Sequence, residues 1–363
     1  MNKQLDMSEP EFITKTLKVR VKDKHKKLLQ RMSVEVNQVW NYANDLSRRS
    51  IIEKKVWLSG FDINNHTSGA SKEFNYIGSN TIQETAQEYV KKRNQAKRVK
   101  LKFRKSFGRK RSLGWIPFNC RSCVYMNGQI RFMGNFFSLW DSYGLGDYKF
   151  RAGCFTEDAR GRWYFCVAVR VSLQESNNKS AIGVDLGLKD AAVCSNGVRL
   201  ESGQYRSLES DLGIAQRANN KSRARNINAK IKNRRKDEQH KFTRDIVNSC
   251  GAVYIGGVST QFLIKTNAKS AHDVGHYSLK TMMQYKCQQA GVRYEEVNEM
   301  YTTQTCSSCG LIGDNSPKGR AGLGIRQWEC ECGSLHDRDI NAAINILNVG
   351  VGHGPLGVEN SLC

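Results

Sequence analysis

The chain has 363 residues, a formal net charge of +23 and 39% hydrophobic residues. That length accommodates two or three domains with ordinary cores and reads as globular and soluble. No uncharged apolar run approaches the roughly 20 residues that span a bilayer, and Met1–Pro10 is polar, without the apolar core of a secretion signal. Cytoplasmic residence without a membrane partner is therefore expected. An enzyme of small metabolites has no need of +23, whereas phosphate backbones release counterions to each cation that neutralises them. A nucleic-acid partner is expected. Twelve cysteines in a long chain without a signal read as free thiols plus a metal site, not as disulfides.

In chain order, Phe12–Val21 alternates apolar and basic residues as a strand does. From Lys24 the period becomes helical through Leu28, Leu29, Met32, Val36, Val39 and Trp40. Residues 60–78 are rich in Gly, Asn and Ser and predict a loop. Thr81–Lys100 predicts a helix ending in a basic run. Strand signals return from Leu101, best in Ile130–Phe136 and Trp163–Val171. The first half is thus a β-rich body, 1–23 and 101–179, with a helical insertion over 24–100. The polar stretch Ser172–Ser180 marks a boundary.

Residues 181–197 predict an apolar strand ending in Asp185, a Gly turn and a second strand. The segment 206–244 predicts helix. Its cations include Arg217, Lys221, Arg223, Arg225, Lys230, Lys232, Arg234 and Arg235, and no acid lies between Leu212 and Lys236. That one-sided charge favours a helix that contacts nucleic-acid backbones. A buried strand over 251–259, a helix over 278–290, a strand over 291–297 and a last helix over 338–347 complete the chain, with a loose tail at 350–363.

Two motifs carry chemistry. Cys306-Ser-Ser-Cys309 and Cys330-Glu-Cys332 each adjoin a glycine, Gly310 and Gly333. Such turns aim two thiolates at one ion, and four thiolates complete a closed, tetrahedral, structural zinc site. Cys120 and Cys123 form a second C-x-x-C with no partner pair and read as packing positions. Acidic residues form the second motif. Phosphodiester cleavage with two magnesium ions gathers carboxylates from separate elements around metals about 3.5–4 Å apart. Asp185 ends a strand between glycines. Asp337 and Asp339 open the last helix, where capping explains an acid equally well.

The run IGVDLGLKDAAV, then YTTQTCSSCG, then WECECGSLHDRDINAAINIL closely resembles the C-terminal half of the TnpB family, nucleases of bacterial insertion sequences similar to compact type V CRISPR effectors. The resemblance is strongest over 181–348 and holds only in layout before that. It implies an α/β RNase H-like (RuvC) nuclease domain over 180–349 with a zinc ribbon inserted at about 303–336, preceded by a wedge domain with a helical recognition insertion. It also implies a guide RNA, a double-stranded DNA target beside a short flanking motif, and cleavage of both strands. The family's first Asp falls on Asp185 and its last on Asp339, with Asp337 in reserve.

One departure matters. Where the family has a Glu at the end of a buried strand, this chain has Gly256 and Gly257. Either the site is dead, leaving an RNA-guided DNA binder that acts as a repressor, or another carboxylate has moved in. Glu299 is the favoured candidate: it follows the strand expected beside 252–258, and a glycine there leaves room for it to cross. Glu295 and Glu296 are weaker ones. In the active reading Asp185 bridges both Mg²⁺ ions while Glu299 and Asp339 hold one each. A DNA-strand transferase is a third reading, since RNase H-like folds host that chemistry too.

Overall fold

The structure is a computed structural model and describes residues 12–173, 176–257, 270, 271, 273–319 and 321–352. The tail from 353 and the expected strand end at 258–259 lie outside them. The chain forms two compact units that divide between Val171 and Ser172.

The first unit is built on seven strands: β1 (Phe12–Val21), β2 (Trp115–Phe118), β3 (Cys123–Met126), β4 (Gln129–Phe132), β5 (Asn135–Trp140), β6 (Phe150–Glu157) and β7 (Trp163–Ser172). They lie in the order β2-β6-β7-β1-β5-β4-β3. Alternation works as expected in β1, whose Leu17, Val19 and Val21 are buried while Thr16 and Lys18 are exposed. The expected strand over 130–136 is instead a hairpin, β4 and β5, because Met133 and Gly134 both take positive φ and turn the chain. Three helices accompany the sheet: α1 (Lys26–Lys54), α2 (Gly60–His66) and α3 (Ser79–Ala96). The apolar stripe of α1, Leu29, Met32, Val36 and Val39, packs into one core with Leu17, Phe132, Phe137 and Phe155. Helix α2 lies in the stretch expected to be loop. Ser59 and Asp62 close a capping box there, the Ser59 N–H donating to Asp62 Oδ2 at 2.7 Å. Reciprocal capping of this kind offsets the Gly and Asn content that argued against helix.

The second unit holds a five-stranded mixed sheet of β8 (Ala181–Asp185), β9 (Asp190–Cys194), β10 (Arg199–Glu201), β11 (Ala252–Gly256) and β12 (Arg293–Val297), in the order β10-β9-β8-β11-β12. Strand β8 runs antiparallel to β9 and parallel to β11, which runs parallel to β12. The basic segment is helical as expected but broken: α4 (Glu209–Arg217) stops before Asn219, whose φ is positive, and α5 (Lys221–Ser249) restarts with the Asn220 side chain accepting from Arg223 N–H. Helices α6 (His276–Gln289) and α7 (Arg338–Gly350) follow, the latter after the short hairpin β13 (Gln327–Glu329) and β14 (Leu335–Asp337).

Strand periodicity sorts the two faces of this sheet. Ile182, Val184, Val253 and Ile255 join Phe242 and Ile246 of α5 and Leu279 and Met283 of α6 in one core. The alternate residues face α7, where Tyr254 and Val297 pack with Ile346. A Cβ at Gly183 would stand 2.0 Å from the Ala343 carbonyl oxygen, so only glycine lets α7 lie this close to β8. By the same parity Asp185 and Gly256 belong to the α7 face.

Candidate active site and metal centre

The thiolates and carboxylates sit on the second unit. Among the described residues, Cys306, Cys309, Cys330 and Cys332 form one cluster whose sulfurs all lie within 4.8 Å of one another. Cys306 Sγ is 3.8 Å from Cys332 Sγ, and Cys309 Sγ is 3.6 Å from Cys330 Sγ. A tetrahedron with bonds of about 2.3 Å has edges of about 3.8 Å. Both turns use their glycine with positive φ, and each is closed by the glycine N–H donating to the first cysteine carbonyl at 2.8 Å, Gly310 to Cys306 and Gly333 to Cys330. The shortened C-x-C arm therefore still turns inward. Hydrogen bonding with Ser334, whose Oγ lies 3.4 Å from Cys332 Sγ, lowers the Cys332 thiol from its ordinary value. His336 Nε2 lies 3.0 Å from Cys306 Sγ, its ring tilted by 39° against Trp328 at 4.8 Å between centroids.

The carboxylates come from three elements. Asp185 ends β8, Glu299 stands two residues beyond β12, and Asp339 lies in the first turn of α7. Burial first, then the negative charges of Asp339 and Glu299, push the Asp185 carboxyl up to about 7, against the opposing pull of Arg338 and the Leu186 N–H. Burial also raises Glu299, countered by the Lys280 ammonium. A Cβ built on Gly256 would sit 2.5 Å from Glu299 Oε2 and 3.2 Å from Ile346 Cδ1. The Glu299 side chain thus fills the space that any residue larger than glycine at 256 would claim.

The other acids weighed from the sequence are engaged elsewhere. Asp337 caps α7, accepting from the Asp339 and Ile340 N–H groups at 3.1 and 3.0 Å, and Arg199 pairs with it at 2.8 Å. Glu295 pairs with Arg293 at 2.8 Å, and Glu296 takes Lys280 at 2.7 Å and the Tyr294 hydroxyl at 3.0 Å. Of the basic residues, Arg217, Lys221, Arg223, Arg225, Lys230, Lys232 and Arg234 are exposed, while Arg235 is half-buried beside Asp273. In the first unit, Trp40 and Phe118 are core residues: Trp40 meets Tyr89 and Trp115 edge-on, and Phe118 stacks on Phe165.

Three residues escaped the sequence reading. Arg326 pairs with Asp339 Oδ2 at 3.2 Å, setting a guanidinium at the edge of the carboxylate cluster. Asn341 and Asn345, one helical turn apart on α7, each donate to the carbonyls of Thr302 and Thr305, and Asn341 also accepts from Ser307 N–H at 2.9 Å. These bonds tie the first cysteine turn to the helix that carries Asp339. An amide's bonds to a distant loop leave no periodic trace along a sequence.

Residues 276–346 match the Cas12f1-like TNB domain model, and residues 164–267 match the OrfB_IS605 model, described as probable transposase. A Streptomyces pristinaespiralis protein carrying an RNA-guided DNA endonuclease name is 28% identical over 219 residues, 56% of this chain and 53% of that one. TnpB-like protein L79 of Acanthamoeba polyphaga mimivirus is 28% identical over 227 residues, 53% and 42% of the two chains. The CRISPR-associated endodeoxyribonuclease Cas12f1 of Sulfoacidibacillus thermotolerans is 29% identical over 122 residues, 32% and 28% of the two chains. The match spans about half or less of the length of these relatives. A solved Cas12f1 in complex with sgRNA and target DNA shares the fold with a TM-score of 0.59 at 14% identity, covering 93% of this chain and 99% of that one. Among the described residues no helix is long and apolar enough to cross a membrane. Residues 164–267 and 276–346 thus match the OrfB_IS605 and Cas12f1-like TNB models, and the chain is similar to proteins named TnpB-like and Cas12f1.

Proposed function

We propose that this protein is an RNA-guided DNA endonuclease that hydrolyses phosphodiester bonds at Asp185, Glu299 and Asp339. The strand order, third-second-first-fourth-fifth with the last two parallel to the first, supports an RNase H-like (RuvC) reading of the second unit. The observation that carries the catalytic reading is the Glu299 carboxylate standing within 2.5 Å of the Cβ position of Gly256. A carboxylate that left one strand is replaced by one reaching across from the next.

The donor set at this site is oxygen only, which suits a hard cation such as Mg²⁺, and Asp185, Glu299 and Asp339 would hold it. When bound, magnesium supplies activation of the attacking water and neutralisation of charge on the leaving 3′-oxygen. Asp185 must be ionised to take part, so its raised pKa keeps it partly protonated until a cation arrives. Arg326 offers a guanidinium beside Asp339, in position to meet a phosphate oxygen. The four thiolates fit structural Zn²⁺ in charge, count and spacing. The exposed cations of α4 and α5 would hold nucleic-acid backbones, and guide RNA would supply sequence specificity against a double-stranded DNA target.

Gly256 also supports a second reading, a guided DNA binder without cleavage that acts as a repressor. One experiment separates the two. The full chain, purified with its own RNA, is given a plasmid target with Mg²⁺ or with EDTA, beside Glu299→Gln. Cleavage that needs Mg²⁺ and disappears in the variant upholds the endonuclease. Target binding without any cut leaves the repressor, and joined rather than hydrolysed ends would identify a strand transferase.

A further inference from the structure

The first unit contains a strap with no regular secondary structure, residues 97–114, that the proposed chemistry does not use. Its backbone is clamped to one face of α1. Asn44 donates to the Leu101 carbonyl at 2.8 Å and accepts from the Leu101 N–H at 3.0 Å. Asn41 does the same for Arg104 at 2.9 and 2.8 Å. Asn37 accepts from Arg104 Nε at 2.6 Å and donates to the Ser106 hydroxyl at 3.2 Å. Asn37 and Asn44 are buried, so an asparagine ladder at helical spacing stands in for a pairing strand. The far side is pinned as well. Lys105 and Ser112 bond each other, Ser112 N–H to Lys105 O at 2.7 Å, and Arg111 forks onto the buried Glu157 with two bonds of 2.7 Å.

Between these anchors a short tip projects. Phe107 at its apex is 78% exposed and, among the described residues, stands over no ring or cation. Lys105, Arg109 and Lys110 around it are exposed. No acidic residue occurs between Glu88 and Asp141 to neutralise them. Left free, such a run of like charges would repel itself and stay loose. Here the amides of Asn37, Asn41 and Asn44 anchor the base of the tip, and Phe107 stands exposed among exposed cations. An apolar protein partner would have to desolvate those cations. A nucleic acid satisfies both features at once, its phosphates meeting the cations and a base covering the ring.

Building on the endonuclease reading, we infer that the tip 105–110 is a stacking site for an unpaired base where a duplex opens into single strands. Phe107 covers the first unpaired base, and Lys105, Arg109 and Lys110 hold the phosphates on either side of it.

The test uses the full chain and a DNA duplex with an unpaired flap carrying 2-aminopurine at its first unpaired position, with the flap made of DNA or of RNA. The unaltered chain quenches the probe on binding. Phe107→Ala loses the quenching and binds the forked probe about tenfold more weakly, the loss expected for one stacked base. Phe107→Trp restores both, and binding to the fully paired duplex is unchanged in either variant. Arg109→Ala lowers the salt dependence of binding by about one ion. The flap chemistry that gives the stronger quenching identifies the strand as RNA or DNA. Equal quenching and affinity for Phe107→Ala and the unaltered chain overturn the inference and leave the endonuclease reading intact. An equal loss on forked and paired probes also overturns it, since stacking on an unpaired base cannot cause it. No binding of any probe by the unaltered chain overturns the inference, and the plasmid test then decides the endonuclease reading by itself.

Discussion

The four thiolates and the three carboxylates lie on the same unit and meet at α7, yet they are assembled in opposite ways. Each pair of cysteines is set by a turn of a few residues, and the two turns need only approach each other for the sulfurs to come within 4.8 Å. The carboxylates depend on the whole sheet. Asp185 ends β8, Glu299 follows β12 two strands away, and Asp339 rides on α7, whose approach requires Gly183. A locally made site tolerates small shifts of the scaffold. A site made across strands can exchange which residue serves it, because two strand ends open on the same face.

The largest effect is expected at the thiolates. Cys306→Ser should lower bound zinc from one equivalent to near none, read by elemental analysis of the purified chain, because zinc-finger peptides draw about 10–16 kcal/mol of folding free energy from such ions. Because Asn341 and Asn345 tie this turn to α7, cleavage should fall with it. Retention of full zinc would break the four-thiolate assignment, with His336 beside Cys306 the first residue to suspect as a substitute ligand.

The exchange of carboxylates is tested next. Glu299→Ala should reduce cleavage at least about a hundredfold, the loss that even outer-shell metal partners can reach. Combining it with Gly256→Glu should return much of the activity. Gly256→Ala alone should reduce cleavage by displacing the tip of Glu299, yet barely move the melting temperature, since the atom it meets at 2.5 Å ends a flexible side chain. If Gly256→Ala cuts as well as the unaltered protein, the crossing carboxylate is not used.

The pH dependence is a smaller effect with a definite sign. Asp185 has its folded pKa raised from 3.8 to about 7, so the folded state binds the extra proton. In EDTA this group therefore opposes folding above about pH 7, and the opposition is relieved as pH falls from about 7 towards 4. The melting temperature in EDTA should rise by a few degrees over that window through this group, and Asp185→Asn should flatten the rise. With Mg²⁺ the order reverses, because the cation takes the ionised form. At limiting Mg²⁺, cleavage should climb as pH rises through about 7.

The smallest effect distinguishes a cap from a ligand. Asp337→Asn keeps a good N-cap for α7 and loses only the partly exposed Arg199 pair, so stability should change by about 1 kcal/mol or less and cleavage should persist. Loss of cleavage in Asp337→Asn, measured beside Asp339→Asn, would transfer the ligand role to Asp337.

Much of this was legible in the residues themselves. Net charge raised the expectation of a nucleic-acid partner. The cysteine spacing with its glycines foretold that the four sulfurs would gather, since a turn of a few residues has few ways to point two thiols. Strand alternation and helical period located β1, β7, β8, β11 and α1. Other features stayed hidden for physical reasons. Helix α2 rests on one capping box that overrides a poor helical composition, and the β4–β5 hairpin rests on positive φ at Met133, a residue that does not advertise a turn.

What the sequence determined by itself is the inventory: which chemistries are present, on which short elements, with a glycine where a carboxylate was expected. What only the tertiary structure decided is proximity. That Glu299 fills the space above Gly256, that Asp337 caps while Asp339 faces Arg326, and that Asn341 and Asn345 bind the cysteine turn to α7 all depend on strand order and on how closely a helix can pack. Local patterns are fixed by bonds between near neighbours in the chain. Sites made across a sheet are fixed by contacts between residues tens of positions apart, which no window along the sequence contains.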